Sequence, residues 1–180
     1  MIQKNNFYVI TGGPGVGKTS LIEELSRRSY LYVPEVAREI IKAQMEQSGD
    51  ALPWANRKLY SDLMLTRSIE TYEEVASSSE IYFFDRGIPD TLAYERLINL
   101  EYNEPLERAV EEYRYNKTVF ILPPWKEIYE TDNERKQDFQ ESIDTFHVME
   151  TVYKEAGYNL VILPLTNVEE RADFVISRLK

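Results

Sequence analysis

The sequence predicts an α/β fold in three layers, a five-stranded parallel sheet with helices on both faces. Two observations carry this. Five short apolar runs, rich in β-branched and aromatic residues, are each separated from the next by helical periodicity, the pattern of strands joined by crossover helices. Four of the seven glycines fall between positions 12 and 17, where the first of these runs gives way to the first helix. Within the 180 residues no repeat, linker or low-complexity tract divides the chain, so one domain is expected over 1–180.

The elements follow in order. Phe7-Tyr8-Val9-Ile10 lacks polar alternation and reads as a strand buried on both faces. Leu21, Ile22 and Leu25 recur at helical spacing from Lys18 to Arg28. Tyr30-Leu31-Tyr32-Val33 is a second strand. Pro34 then suits the first turn of a helix whose buried stripe is Val36, Ala37, Ile40 and Ile41. A longer helix runs from Asn56 to about Ser77 on Leu59, Leu63, Leu65, Ile69, Tyr72 and Ala76, and stops at three serines. Ile81-Tyr82-Phe83-Phe84, Thr118 to Leu122 and Leu160 to Leu163 are the third, fourth and fifth strands. Helices fill the gaps at about Pro89 to Asn99, Pro105 to Tyr113, Arg135 to Ala156 and Val168 to Leu179. Pro123-Pro124-Trp125 breaks the pattern, and the charged stretch to Asp138 reads as a flap over the site, a lid segment at 123–138.

Composition excludes several functions. With 21 basic and 31 acidic residues the net charge is −10, a field that repels a nucleic-acid backbone but still allows one small phosphorylated ligand to be held by local dipoles. There is no cysteine, hence no disulfide, thiolate nucleophile or cysteine-bound zinc. No apolar stretch is long enough to span a membrane and the first residues lack a signal-peptide pattern, so a cytoplasmic protein is expected.

Gly12-Gly13-Pro14-Gly15-Val16-Gly17-Lys18-Thr19 fits G-x-x-x-x-G-K-[ST] in full, between a predicted strand and a predicted helix. In such a Walker A loop, or P-loop, the glycines let backbone N–H groups wrap an anion while the helix N-terminus adds partial positive charge. ATP phosphates are therefore expected against Gly13, Pro14, Gly15, Val16, Gly17, Lys18, Thr19 and Ser20. Lys18 reaches the β- and γ-phosphates and the Thr19 hydroxyl holds Mg²⁺. For Ser20, helix packing is an equal alternative. Asp85 ends the third strand where an acid supports the metal, although it could instead cap the next helix. Arg86 follows it, where motor-type hydrolases place Glu, and suits either a phosphate or substrate contact or a structural ion pair. Asn116-Lys117 is not followed by the acid of a guanine-specificity motif.

Together with the loop, Pro34-Glu35-Val36-Ala37-Arg38, Phe84-Asp85-Arg86-Gly87, Tyr129 to Arg135, and Gly157-Tyr158 with Leu163-Pro164 and Glu169-Glu170-Arg171-Ala172 resemble bacterial predicted ATPases with a NadR-like AAA domain. The resemblance spans nearly the whole chain. It implies the nucleoside/nucleotide-kinase type of P-loop fold with strand order 2-3-1-4-5, which brings Asp85 to the loop, and relatives that phosphorylate nucleosides. It also implies that Glu35 presents its carboxylate to the acceptor hydroxyl, as base or as orienting group, and that Arg135 is the lid arginine, with Lys136 a second candidate. A first-turn acid is the plain alternative for Glu35, and a solvated flap for the lid pair. Arg38, three residues on from Glu35, either binds substrate or pairs with it. Arg67 and His147 read as exposed helical residues, and most of the 13 tyrosines as packing.

The expected function is transfer of the ATP γ-phosphoryl to a small nucleoside-like acceptor. An acceptor-independent ATPase or ATP-dependent switch with a protein partner is the first alternative, and a nucleotide-binding module without turnover the second.

Overall fold

Phe7 to Gly12 forms the most deeply buried strand of the sheet because every one of its residues is shielded on both faces. The computed structural model describes residues 2–129 and 139–179. Its elements are β1 (Ile2–Gln3), β2 (Phe7–Gly12), α1 (Lys18–Arg27), β3 (Leu31–Val33), α2 (Val36–Glu46), α3 (Arg57–Glu74), β4 (Tyr82–Asp85) and α4 (Ile88–Leu97). They continue with α5 (Glu104–Glu112), β5 (Tyr113–Arg114), β6 (Thr118–Leu122), a 3₁₀ turn at Lys126–Ile128, α6 (Phe139–Glu155), β7 (Asn159–Ile162) and α7 (Val168–Ile176).

The main sheet is parallel in the order β3-β4-β2-β6-β7, which is the expected 2-3-1-4-5 when its strands are counted along the chain. Alternation along β2 sends Phe7 and Val9 to one face and Tyr8 and Ile10 to the other. The first face packs with Phe84, Ile88, Tyr115, Met149 and Tyr153 beneath α4 and α6. The second packs with Leu21, Leu25, Phe120, Ala172 and Val175 beneath α1 and α7. Ile10 pairs in register with Asp85 and Gly12 with Leu122, so the strand ends meet at one edge. There the connections from β2 and β4 leave in opposite directions, the place where open α/β sheets bind ligands.

Three local differences from the sequence expectation bear on the site. Pro34 lies ahead of α2 rather than in its first turn, and Glu35 is the N-cap residue but makes no capping hydrogen bond, because its carboxylate is drawn inward. Of the expected α2 stripe only Ile40 is fully buried; Val36, Ala37 and Ile41 face a cavity. On α3 the buried face carries Tyr60, Ser61, Ser68 and Thr71 as well as Met64, Leu65 and Tyr72, and Leu59 is exposed. The short parallel pair β1 and β5 has no sequence signature at two residues each. No described helix is long and apolar enough to cross a membrane.

Candidate functional site

The loop from β2 to α1 needs glycine at two positions for separate reasons. At Gly15 (φ +72°) a Cβ would lie 2.6 Å from the Tyr129 ring. At Gly17 (φ +81°), the N-cap of α1, it would lie 3.0 Å from the Arg171 guanidinium. Both residues occupy the left-handed region that side chains disfavour. Neighbouring elements brace the loop. Ser142 Oγ on α6 donates to the Pro14 carbonyl at 3.0 Å, and Arg171 Nη1 on α7 donates to the Val16 carbonyl at 3.2 Å. Lys18 then begins α1 and is buried, while Thr19 and Ser20 are exposed beside it.

The Lys18 ammonium is hydrogen-bonded to Asp85 at the end of β4 and stands 3.6 Å from Glu35 Oε2. Glu35 in turn accepts from Arg86 Nε at 2.7 Å and from Arg38 Nε at 3.0 Å. Arg86 Nη1 continues to Asp90 at 3.1 Å, and Asp90 also accepts from Thr11, Tyr153 and the Gly87 N–H. The sheet register and the first turns of α1, α2 and α4 thus bring Lys18, Glu35, Asp85 and Arg86 into one charged cluster, with Arg38 at its rim.

Burial alone would raise the Glu35 pKa, but Arg86, Lys18 and Arg38 together hold it down at about 2. For Asp85 burial prevails, and the neighbouring Glu35 charge adds to it, so its pKa is raised despite Lys18. Burial would lower the Arg86 pKa, yet Glu35, Asp90 and Asp85 outweigh it and raise it. Arg86 has φ +73°, a conformation that costs about 1–3 kcal/mol for a side-chain-bearing residue and tends to occur where a side chain must be aimed. The Asp90 network holds the residue in that state.

A cavity of about 290 Å³ opens beside this cluster, enclosed by α2, α3, α4 and α6. Glu35, Asp85 and Arg86 form its charged end, Met64 and Met149 apolar walls, and Ser68, Thr71, Thr91 and Thr145 scattered hydroxyls. Tyr60 and Tyr94 meet edge to face at 5.5 Å. Burial raises both phenol pKa values, and the Tyr94 hydroxyl is buried without a hydrogen-bond partner among the described residues. Among the described residues no group of three or more His, Asp or Glu side chains could hold a metal ion.

Several expectations can now be placed. Asp85 does not cap α4; that role falls to Asp90, whose carboxylate accepts from the Gly87 N–H. Arg38 pairs with Glu35, and Arg86 pairs with both Glu35 and Asp90. Arg67 and His147 lie at the surface, Arg67 paired with Glu70. The lid residues Arg135 and Lys136 lie outside the described residues. Sequence reasoning missed Asp90, Tyr60 and Tyr94, and it quoted Arg171 within a family motif without giving it a role. Of the three missed, only Asp90 had a local signal, an acid three residues after Gly87 at a helix start.

Together the sheet order, the braced glycine loop and the acid at the end of β4 give the chain a P-loop α/β fold in the strand order 2-3-1-4-5. A family model described as "AAA domain" matches residues 7–171, and the chain belongs to that family. No curated protein matches the sequence. Among solved structures, the fold is similar to deoxyadenosine kinase from M. mycoides with dCMP and a flexible dCDP bound, at TM-score 0.72 and 17% identity over 96% of this chain and 98% of that one. It is also similar to NadR protein in complex with NR, at TM-score 0.68 and 21% identity over 99% of this chain and 51% of NadR. A NadR complex with NAD and AMP-PNP gives TM-score 0.64 at 21% identity over 98% of this chain and 49% of that one. The chain therefore spans about half the length of NadR.

Proposed function

We propose that the protein binds Mg·ATP through the Gly12–Thr19 loop and transfers the γ-phosphoryl group to a hydroxyl of a nucleoside-like acceptor in the adjoining cavity. One observation carries this reading: Lys18 of the phosphate-binding loop stands 3.6 Å from Glu35, which forms the charged end of the cavity. The site thus joins a phosphate-binding loop to an enclosed pocket, as phosphoryl transfer between two bound molecules requires. The similar solved structures, a deoxyadenosine kinase with dCMP and NadR with NR, support a nucleoside-like occupant.

In the reaction the acceptor oxygen bonds to the γ-phosphorus as the bond from that phosphorus to the β–γ bridging oxygen breaks. ADP leaves with the electron pair. A carboxylate held at about 2 is a poor proton acceptor, so Glu35 orients the hydroxyl rather than removing its proton, which passes to a phosphoryl oxygen as the new bond forms. Lys18 exchanges its carboxylate partners for phosphate oxygens. Arg86 keeps Glu35 ionised and aimed. The exposed Thr19 hydroxyl and the Asp85 carboxylate are hard oxygen donors of the kind Mg²⁺ takes, and a site with few protein ligands suits an ion held largely by phosphate and water. When bound, the ion neutralises phosphate charge. Arg135, with Lys136, is assigned to closing the site because both lie in the charged flap read from the sequence, with Arg135 favoured by the family resemblance.

The deciding experiment measures ADP release with Mg·ATP across a panel of ribo- and deoxyribonucleosides and without any of them. Release that depends on one acceptor, with a phosphorylated product, is the expected result. Equal release with and without every acceptor would replace the kinase reading with an ATPase.

A further inference from the structure

A buried arginine beside the loop forms no salt bridge among the described residues. Arg171, in the first turn of α7, is 5% exposed, and its Nε is buried with no hydrogen-bond partner. Among the described residues its guanidinium makes one hydrogen bond, from Nη1 to the Val16 carbonyl in the phosphate-binding loop, at 3.2 Å. The Trp125 ring covers the guanidinium carbon at 5.3 Å. Among the described residues no Asp or Glu forms a salt bridge with it, although Glu169 and Glu170 precede it on the same turn and Glu170 is engaged by Thr166. Arg86, by contrast, is met by two carboxylates. Burial lowers the Arg171 pKa and no neighbouring charge offsets the effect.

A buried cation without an anion is costly, and a fold retains one where a ligand supplies the missing charge. The position indicates which ligand. The guanidinium lies against Val16 and so close to Gly17 that a Cβ there would stand 3.0 Å from it, within the stretch whose N–H groups face phosphate in a loop of this pattern. We propose that Arg171 belongs to the donor-nucleotide site: beyond its contact with the loop backbone, its guanidinium supplies positive charge to a phosphate group of the bound nucleoside di- or triphosphate. This rests on the reading of Gly12–Thr19 as a nucleotide-binding loop and adds a contact from the opposite end of the chain.

The alternative is a strut that merely holds the loop in shape, and the two differ in sign on stability. Calorimetric titration with Mg·ADP, paired with melting of the ligand-free protein, separates them for Arg171→Met and Arg171→Lys. If Arg171 serves the nucleotide, Arg171→Met weakens ADP binding about tenfold or more, the effect of losing a charge-assisted contact. Its ligand-free melting temperature stays the same or rises, since the uncompensated charge is gone. Arg171→Lys, which keeps charge but loses the fork, falls between. ADP affinity within about threefold of wild type, or a loss of affinity matched by a lower ligand-free melting temperature, overturns the proposal. If Arg171→Met does not fold, Arg171→Lys decides: weakened ADP binding with unchanged melting supports the assignment, and wild-type affinity overturns it. Wild-type protein that binds neither ADP nor ATP would remove the underlying functional reading, and this inference with it.

Discussion

Arg86→Met tests the central claim about the acceptor side, that one arginine keeps Glu35 ionised. The Glu35 side chain is 12% exposed, and its pKa stands at about 2 against an ordinary 4.5. That gap corresponds to roughly 3 kcal/mol in favour of the ionised form. Burial acts upward and is the strongest single influence, while Arg86 is the strongest opposing one, ahead of Lys18 and Arg38. A methionine keeps much of the volume and removes the charge, so Glu35 should titrate in or above the ordinary carboxylate range. The sign for stability follows. A carboxylate whose pKa is lower in the folded chain stabilises the native state above its unfolded value, here about 4.5, and this is lost as pH falls towards about 2. In the variant that contribution disappears and Glu35 and Asp90 are left facing a neutral side chain, a loss of about 3–5 kcal/mol near neutrality that shrinks as Glu35 takes up a proton. Carboxyl-carbon NMR titration, with Glu35 assigned through Glu35→Gln, reads the pKa directly, and urea unfolding at pH 7 and pH 4 reads the stability. A Glu35 that still titrates near 2 in Arg86→Met, or a stability loss equal at both pH values, refutes the assignment of Arg86 as its controlling charge.

Three further outcomes follow from the same cluster. Lys18→Ala should leave the fold intact, since the strand ends are held by the sheet, but reduce ATP affinity by about tenfold or more through loss of a charge-assisted phosphate contact; calorimetric titration checks it. Asp85→Asn should abolish most Mg²⁺-dependent turnover while metal-free nucleotide binding largely survives, and an Mg²⁺ titration of the rate that matches wild type would leave Asp85 as a partner of Lys18 only. Glu35→Gln should lower the rate of transfer to the acceptor with ATP affinity almost unchanged, as single-turnover kinetics with and without acceptor would show.

The sheet and the loop were legible because both are written in contiguous sequence. Phe7 to Ile10 is apolar at every position, and the glycines lie within one turn of chain, so strand, loop and helix announce themselves without tertiary information. Asp85 was legible for a related reason: it ends a strand, and strand ends converge on one edge of a parallel sheet, whereas Glu35 was singled out by the family resemblance. The cavity beside the charged cluster was not legible. Its wall on α3 uses Tyr60, Ser68 and Thr71 on a face that hydrophobic periodicity assigns to solvent, because a pocket for a polar ligand must carry polar groups inward and so erases the amphipathic signal. Arg86 in the left-handed conformation is likewise invisible in sequence, since the strain depends on Asp90 four residues later and on Thr11 and Tyr153 from other elements.

The charges of this cluster also bear on what the donor must be. Lys18, Arg38 and Arg86 face Glu35, Asp85 and Asp90 through the pairs described, so cations and carboxylates balance before any nucleotide arrives. Free ATP would bring its phosphates to Lys18 beside Asp85 and Glu35 and leave several negative charges facing one another at short range, where the surrounding protein screens them poorly. A nucleotide that carries its own divalent cation avoids this; Asp85, whose pKa burial and the Glu35 charge already raise, would otherwise face the phosphates without a further cation. Under the proposed function Mg·ATP is therefore the donor this arrangement accommodates. Arg171 stands apart from that balance: it donates to the same loop with no carboxylate of its own among the described residues, and under the proposal made for it the missing charge is the nucleotide's.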